Sequence, residues 1–155
     1  MSKRCDNKSV GMLVWQENKL LLIERKKPPF GFAPPAGHVE DKGSFEDAAK
    51  EELKEEVGLT LTKITFMAEG KKNNPCRREG GAWHYWKVYE TETKGKLKPG
   101  KDEIKQAGWY SKGQINILVK RTEDYLDGKI DEQEWENSPG IEPVWREWFK
   151  KLDII

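Results

Sequence analysis

The sequence predicts an α/β fold in which helices cover both faces of a mixed β-sheet. Short apolar runs of strand length, bounded by polar turns, recur along the chain up to Tyr110. Segments with helical periodicity lie between and after these runs. Packing helices on a sheet buries the apolar faces of both the helices and the strands. With 155 residues and 35% hydrophobic content, the chain is long enough for one core. We therefore predict a single domain over residues 1–155.

The predicted strands are runs of apolar, β-branched and aromatic residues. They lie at Ser9–Trp15, Lys19–Glu24, Leu59–Lys71, Ala82–Thr91 and Gln106–Tyr110. The first two are expected to form a hairpin because a polar turn, Gln16-Glu17-Asn18, joins them. The segments Lys26–Pro35 and Lys72–Gly81 are predicted to be loops, since they are rich in proline, glycine and charge.

A helix is predicted at Phe45–Val57. Ser44 is a suitable N-cap, Asp47 completes a capping box at N3, and Gly58 suits the position after the last turn. One face of this helix is apolar at steps of four residues, through Phe45, Ala49, Leu53 and Val57. That face is expected to pack on the sheet.

The carboxyl-terminal third is predicted to be a helical extension covering residues 121–155. Ile115–Leu126 is expected to form a helix that leads into it, and Trp135 lies in a short polar one. Apolar residues between Ile141 and Leu152 then recur at i, i+3, i+4, i+7, i+8 and i+11, which is typical of an amphipathic helix. We assign this apolar stripe to the core, and the alternative is a homodimer interface.

The helix at 45–57 also has an acidic face. Four glutamates fall within six consecutive positions, and Glu52, Glu55 and Glu56 share one side because a helix turns by about 100° per residue. Like charges at this spacing cost a helix a few tenths of a kcal/mol per pair. The face is therefore either solvated or built to hold a divalent metal, and the spacing alone leaves both interpretations open.

The segment around this helix resembles the signature of the Nudix hydrolase family, Gly-x5-Glu-x7-Arg-Glu-U-x-Glu-Glu-x-Gly-U, where U is aliphatic. Aligned on Gly37, the matching positions are Glu52, Leu53, Glu55, Glu56, Gly58 and Leu59. Two positions depart from the pattern: Gly43 replaces the first glutamate, and Glu51 replaces the arginine. The family generally pairs those two residues with one another, so we interpret the two departures as linked. The resemblance covers roughly Ser9 to Leu118.

The resemblance implies a Nudix-like α/β/α sandwich and a pyrophosphohydrolase. The expected substrate is a nucleoside diphosphate derivative or a nucleoside triphosphate. It implies Mg²⁺ as cofactor, with Mn²⁺ as an alternative, held by Glu52, Glu55, Glu56 and the backbone carbonyl of Ala36. Glu55 and Glu56 are also candidate catalytic residues, and which glutamate acts as base stays open. Glu103 occupies the position of a further catalytic glutamate, and Asp102 is its rival.

The candidate substrate-binding residues are cations and aromatic rings. Arg77 and Arg78 lie in a loop rich in positive charge, and Arg25 follows the second strand. Arginines hold phosphates, and Trp83 or Trp86 offers a ring that stacks on a base. Because strand side chains alternate, these two tryptophans are expected to face opposite sides, so one of them belongs to the core.

Charge and cysteine content narrow the functional classes. The net charge of +1 lacks the basic footprint of a dedicated nucleic-acid binder, so the expected partner is a small nucleotide. Two alternatives remain, a nucleotide-binding module without cleavage and an enzyme acting on nucleic-acid ends. Cys5 and Cys76 form no disulfide framework, and together with His84 they match no common zinc spacing. The first residues lack the apolar stretch of a signal peptide, and no segment is long enough to span a membrane, so we expect a cytoplasmic protein.

Overall fold

The structure is a computed structural model that describes residues 4–155. Residues 1–3 lie outside the described residues. They belong to the amino-terminal segment for which we predict no signal peptide. The described elements, in chain order, are β1 (Lys8–Gln16), β2 (Lys19–Arg25), β3 (Phe32–Ala33), β4 (Ala36–His38), α1 (Phe45–Val57), β5 (Thr60–Lys72), β6 (His84–Lys94), β7 (Ile104–Tyr110), α2 (Lys112–Leu126), α3 (Glu132–Asn137) and α4 (Pro143–Lys151).

The seven strands form one mixed sheet with the order β3-β2-β1-β6-β5. β1 pairs in parallel with β6, and it pairs antiparallel with β2 and β4. β7 pairs with β2, while β5 forms a long antiparallel ladder with β6. The combination of parallel and antiparallel pairs confirms the predicted mixed sheet.

Helices cover both faces of this sheet. Alternate residues of β1, such as Val10 and Met12, pack against the apolar face of α1, which buries Leu53 and Val57 completely. Leu13 points to the opposite face and belongs to the cluster formed with α2 and α4. Each strand of the centre therefore contributes to two apolar layers, and the predicted α/β/α arrangement is confirmed.

The sequence predicted α1 with its observed bounds because its signals are local. The Ser44 hydroxyl accepts a hydrogen bond from the Asp47 amide at 3.0 Å, and the Asp47 carboxylate accepts one from the Ser44 amide at 3.3 Å. Gly58 ends the helix with φ of 73°, in the left-handed region. The short strands β3 and β4 were not predicted, since two or three residues carry no periodicity.

The apolar stripe at the carboxyl terminus closes the core, as predicted in preference to a dimer interface. Val144, Trp145, Trp148 and Phe149 are at most 3% exposed. Gly11 permits this packing, because a Cβ added there would lie 2.2 Å from the Trp145 ring. The helix starts at Pro143 instead of Ile141, which pairs with Phe32 in an isolated bridge. Among the described helices, none is long and apolar enough to cross a membrane.

Candidate active site

A cleft of about 760 Å³ opens beside the acidic face of α1. The remaining walls come from the segment 33–42, the loop between β5 and β6, the loop before β7 and the start of α4. These segments are far apart in sequence, and the sheet brings them to one edge. The cleft gathers both carboxylates and arginines in its lining.

Glu56 is the most buried carboxylate of the α1 face. Its Oε1 accepts a hydrogen bond from the Ala36 amide at 3.1 Å. Burial, followed by the nearby charge of Glu52, raises the pKa of Glu56 to about 8, although Arg25 opposes the shift. A cation in the cleft would favour the ionised form and reverse the shift.

Glu52 lies against the backbone at Gly37. A Cβ added at Gly37 would be 2.3 Å from the Glu52 carboxyl carbon, so only glycine leaves room for this carboxylate. Lys42 forms an ion pair with Glu52, with 2.5 Å between Nζ and Oε1. Burial raises the pKa of Glu52, while Lys42 acts against that shift. A lysine ammonium therefore already neutralises this predicted metal ligand.

Glu55 and Glu103 complete the acidic side of the cleft. Glu55 is exposed, and Glu103 is about half exposed. One carboxylate oxygen of Glu103 is 3.4 Å from Lys27 Nζ, and the other is 3.8 Å from an Arg77 nitrogen. The charge of Glu103 also contributes to the raised pKa of Glu56. Glu103 lines the cleft, whereas its rival Asp102 does not.

The charge of Arg25 acts on two carboxyl groups of the cleft, Glu56 and Glu142, where it opposes the rise in pKa that burial causes. Its Nε is buried and finds no hydrogen-bond partner among the described residues. Glu142, at the start of α4, is 9% exposed, and burial raises its pKa to about 7. Glu142 carries no signal in the sequence, because its place in the cleft depends on where α4 docks.

Arg77 and Arg78 line the cleft from the loop between β5 and β6. Arg78 forms an ion pair with Glu40, which follows β4. The side chain of Arg77 is about half exposed and approaches Glu103. The two arginines are therefore brought to the same cleft as the α1 glutamates.

The two predicted tryptophans lie in different surroundings, because Trp86 belongs to β6 whereas Trp83 lies just before that strand. Trp86 is 4% exposed and lines the cleft, and its Nε1 donates a hydrogen bond to Asn74 Oδ1 at 2.9 Å. Trp83 is 38% exposed and does not line the cleft. Lys71 Nζ instead lies 4.6 Å from the centre of the Trp83 ring. We therefore leave Trp83 out of the site.

The two departures from the family signature lie at the edge of this region. Gly43 has φ of +108°, and a Cβ there would be 2.7 Å from Asp47 Oδ2. A glutamate at this position would be strained and would disturb the cap of α1. Glu51 is exposed and lines the rim of the cleft.

Comparisons with known proteins place this geometry in a family. The family model of the NUDIX domain matches residues 6–140. An ADP-ribose pyrophosphatase of Methanocaldococcus jannaschii is 33% identical over 131 residues, covering 83% of this chain and 74% of that protein. The mouse 8-oxo-dGDP phosphatase NUDT18 is 31% identical over 99 residues, covering 61% of this chain and 28% of that protein. The crystal structure of a MutT NUDIX hydrolase from Burkholderia pseudomallei has the same fold, with a TM-score of 0.59 at 23% identity, covering 70% of this chain and 84% of that one.

Proposed function

This chain belongs to the Nudix family of hydrolases, and on that basis we propose that it is a Mg²⁺-dependent pyrophosphohydrolase. The proposed substrate is a nucleoside diphosphate joined to a second group through its terminal phosphate. The observation that carries the proposal is the cleft itself, which brings the carboxylates of α1 and the side chains of Arg25, Arg77 and Arg78 into one lining. This arrangement suits a metal-bound diphosphate, since the carboxylates bind the cation and the arginines bind phosphate oxygens.

The donor set fits a hard divalent cation. Glu52 and Glu56 are oxygen donors on one face of α1, and the charge of Glu52 adds to burial in raising the pKa of Glu56. Lys42 supplies a positive charge beside Glu52, which supports the proposal that a cation is accommodated there. Glu55 and the carbonyl of Ala36 are further proposed ligands. When bound, Mg²⁺ supplies positive charge to the phosphate oxygens and makes a bound water more acidic.

The side chains around the cleft provide the remaining chemistry. Arg77 and Arg78 hold the phosphates, while Arg25 balances the negative charge next to Glu56. A water oxygen forms a bond to one phosphorus, the bridging P–O bond breaks, and two phosphomonoesters leave. The proton of that water passes to a carboxylate with access to solvent, for which Glu55 and Glu103 are both suitable because they are the exposed members of the set.

ADP-ribose is the first substrate to test. The Methanocaldococcus jannaschii relative is named an ADP-ribose pyrophosphatase. The cleft volume of about 760 Å³ lies in the usual range for small-molecule sites. Trp86 is held by Asn74 at the cleft wall and offers an aromatic edge there, and the buried carboxyl of Glu142 offers a polar group.

The test is a panel of diphosphate compounds assayed with Mg²⁺, with Mn²⁺ and with EDTA. The panel contains ADP-ribose, a nucleotide sugar, 8-oxo-dGDP, the common nucleoside triphosphates and capped RNA. We expect ADP-ribose to give AMP and ribose 5-phosphate, identified by chromatography, and EDTA to abolish the reaction. Preference for capped RNA with steep salt dependence would favour the nucleic-acid-end alternative. Absence of cleavage across the panel with either metal would overturn the proposal.

A further inference from the structure

All the cysteines and histidines of this chain meet in one cluster, and three of the four, His38, Cys76 and His84, also line the cleft. The sequence contains two cysteines and two histidines. Cys5 precedes β1, His38 ends β4, Cys76 lies in the loop between β5 and β6, and His84 begins β6. One sulfur or ring nitrogen from each of the four lies within 4.8 Å of the other three. Four segments of the fold, two of them only eight residues apart in sequence, thus converge on one point.

The separations are close to those of a tetrahedral metal site. A zinc ion with Zn–S near 2.3 Å and Zn–N near 2.0 Å places its ligand atoms about 3.3–3.8 Å apart. Cys5 Sγ and His84 Nε2 are already 3.3 Å apart. The upper limit of 4.8 Å on the remaining pairs means that a shift of about 1 Å is enough to bring all four around one ion.

The two imidazoles have free ring nitrogens aimed at the cluster. His84 Nδ1 lies 2.8 Å from the carbonyl oxygen of Asn74, and a carbonyl only accepts, so Nδ1 carries the proton. In the neutral ring, Nε2 is then left with a lone pair directed toward Cys5. A backbone carbonyl that fixes the tautomer in this way is typical of histidine ligands to metals. His38 Nε2 is also buried, and no hydrogen-bond partner for it is present in residues 4–155.

Backbone amides point at both sulfurs. The Asn7 amide donates to Cys5 Sγ at 3.3 Å, and the Arg78 amide donates to Cys76 Sγ at 3.4 Å. Such bonds stabilise negative charge on sulfur, as a metal-bound thiolate requires. Gly81 leaves the space for Cys76, because a Cβ at Gly81 would lie 2.2 Å from that sulfur.

Asn7 fixes the loop that supplies Cys76. It adopts φ of 59°, and its side-chain amide donates to the carbonyls of Gly80 at 2.9 Å and Trp83 at 2.7 Å. The residue two positions after Cys5 therefore clamps the segment between Cys76 and His84. Asn7 therefore helps to position Cys76 and His84 through backbone groups between them, without contacting either side chain.

We propose that Cys5, His38, Cys76 and His84 bind a zinc ion with four protein ligands. Two thiolates and two imidazoles are the donor set of structural zinc, and four protein ligands leave no open position for substrate. The ion would fasten the loop carrying Arg77 and Arg78 to the amino-terminal segment and to β4. The sequence did not predict this site, because zinc motifs are recognised from short local spacings and His38 was not included among the candidates.

The test begins with metal content and uses no activity assay, so its outcome is independent of the proposed function. The full chain, produced with zinc in the medium and without a histidine tag, is dialysed and analysed for metals by mass spectrometry. We expect about one zinc per chain, falling below about 0.2 in Cys76→Ser and in His84→Asn, since a missing ligand weakens a structural site strongly. The matched controls are Arg77→Ala, next to Cys76, and Glu56→Gln on the carboxylate side, and both should keep their zinc.

Cobalt provides a second readout on the unaltered protein, in case a variant fails to fold. Co²⁺ added to the zinc-free chain should give the intense visible bands of tetrahedral coordination and a thiolate charge-transfer band in the near ultraviolet. Zinc should displace both. Three results would overturn the proposal: a zinc-free protein that gives no thiolate–cobalt band, zinc that is lost in Glu56→Gln but retained in Cys76→Ser, or a Cys5–Cys76 disulfide in protein purified under reducing conditions.

Discussion

Two clusters of polar groups at the cleft differ in chemistry, the carboxylates of α1 (the α1 end) and the cysteines and histidines (the Cys/His end). At the α1 end, Glu52 and Glu56 are oxygen donors, with Lys42 paired to Glu52 and the charge of Arg25 acting on Glu56. At the Cys/His end, two sulfurs and two imidazoles lie together, and backbone groups contact Cys5, Cys76 and His84. Burial raises the pKa of Glu56 and lowers that of His84, so burial alone favours the neutral form in both places.

This difference indicates what each end can hold. Oxygen donors on one helix suit a hard cation that keeps some of its water and exchanges with substrate. Sulfur and nitrogen donors from four segments suit a softer ion that stays bound and links those segments. The proposed magnesium ion would supply the chemistry, and the proposed zinc ion would position a wall of the cleft. A change at one of these two sites should leave the ion at the other in place.

The largest effect is expected from Glu56→Gln. Glutamine keeps the oxygen that accepts the Ala36 hydrogen bond but removes the charge that a hard cation needs. Turnover with Mg²⁺ should fall by at least about a hundredfold, while the melting temperature and zinc content stay close to those of the parent. The control is Glu136→Gln, an exposed glutamate on α3 away from the cleft. Parental turnover in Glu56→Gln would remove this residue from the metal site.

Two arginine variants test whether the loop between β5 and β6 binds substrate through its positive charge. Arg77→Ala and Arg78→Ala should each lower kcat/KM by roughly tenfold to a hundredfold, through loss of charge-assisted bonds to phosphate. Both variants keep the backbone, including the Arg78 amide that donates to Cys76 Sγ, so zinc content should not change. Lys96→Ala, an exposed cation outside the cleft, is the control. If steady-state kinetics of both variants match the parent, the loop does not contact substrate.

Removing the metal from the α1 end should reveal the raised pKa of Glu56. Its folded pKa of about 8 exceeds the value of about 4.3 for an exposed glutamate, so the native state binds more protons between these limits. The stability that Glu56 contributes is therefore fully present below about pH 4 and is lost as pH rises through about 8. The groups that face Glu56 and set this behaviour are Glu52 on α1, Arg25 on β2 and Glu103 before β7.

The measurement is the melting temperature of the protein without Mg²⁺ between pH 6 and pH 9. We expect a decrease of about 5 °C over this interval beyond the trend seen in Glu56→Gln. Glu142, whose pKa is raised to about 7, contributes a slope of the same sign that should persist in that variant. Added Mg²⁺ should stabilise the parent more at pH 9 than at pH 6. Identical pH profiles for parent and variant would show that Glu56 titrates normally.

Lys42→Met tests whether the internal cation competes with the metal. The Lys42 and Glu52 side chains are only 14% and 12% exposed, so their ion pair is weakly screened. Without the ammonium, the concentration of Mg²⁺ giving half-maximal activity should fall by roughly threefold to tenfold. The assay is run at pH 9, where protons compete little with Mg²⁺ for the carboxylates. Lys50→Met, exposed on the same helix, is the control. A higher Mg²⁺ requirement would mean that Lys42 assists metal or substrate binding instead.

The sequence predicts the α1 end much better than it predicts the Cys/His end. The α1 end was predicted because Ser44, the spacing of the glutamates and Gly58 are signals within one segment. The Cys/His cluster and Glu142 were missed because neither has a local pattern. Their positions depend on β4, a strand of three residues, and on the docking of α4 against the sheet. Sequence periodicity describes one element at a time, whereas these groups come together only when several elements pack.

The smallest predicted effect concerns Gly43 and Glu51, where the chain departs from the family signature. Gly43→Glu alone should destabilise the protein by about 1 kcal/mol or more, because φ is +108° and the new side chain would meet Asp47. Glu51→Arg alone should change stability little, since Glu51 is exposed. In the double variant the two new side chains form the pair that the family generally has.

A double-mutant cycle separates that pairing from the strain. The strain at position 43 is present with and without Glu51→Arg, so it cancels when the four free energies of unfolding are combined. What remains is the interaction of the two side chains, which we expect to favour the double variant by about 0.5–1 kcal/mol, because an exposed ion pair is screened by water and salt. Gly43→Ala measures the strain without a charge and serves as the control. Strictly additive free energies would show that the two positions do not interact and that their joint departure has no common physical cause.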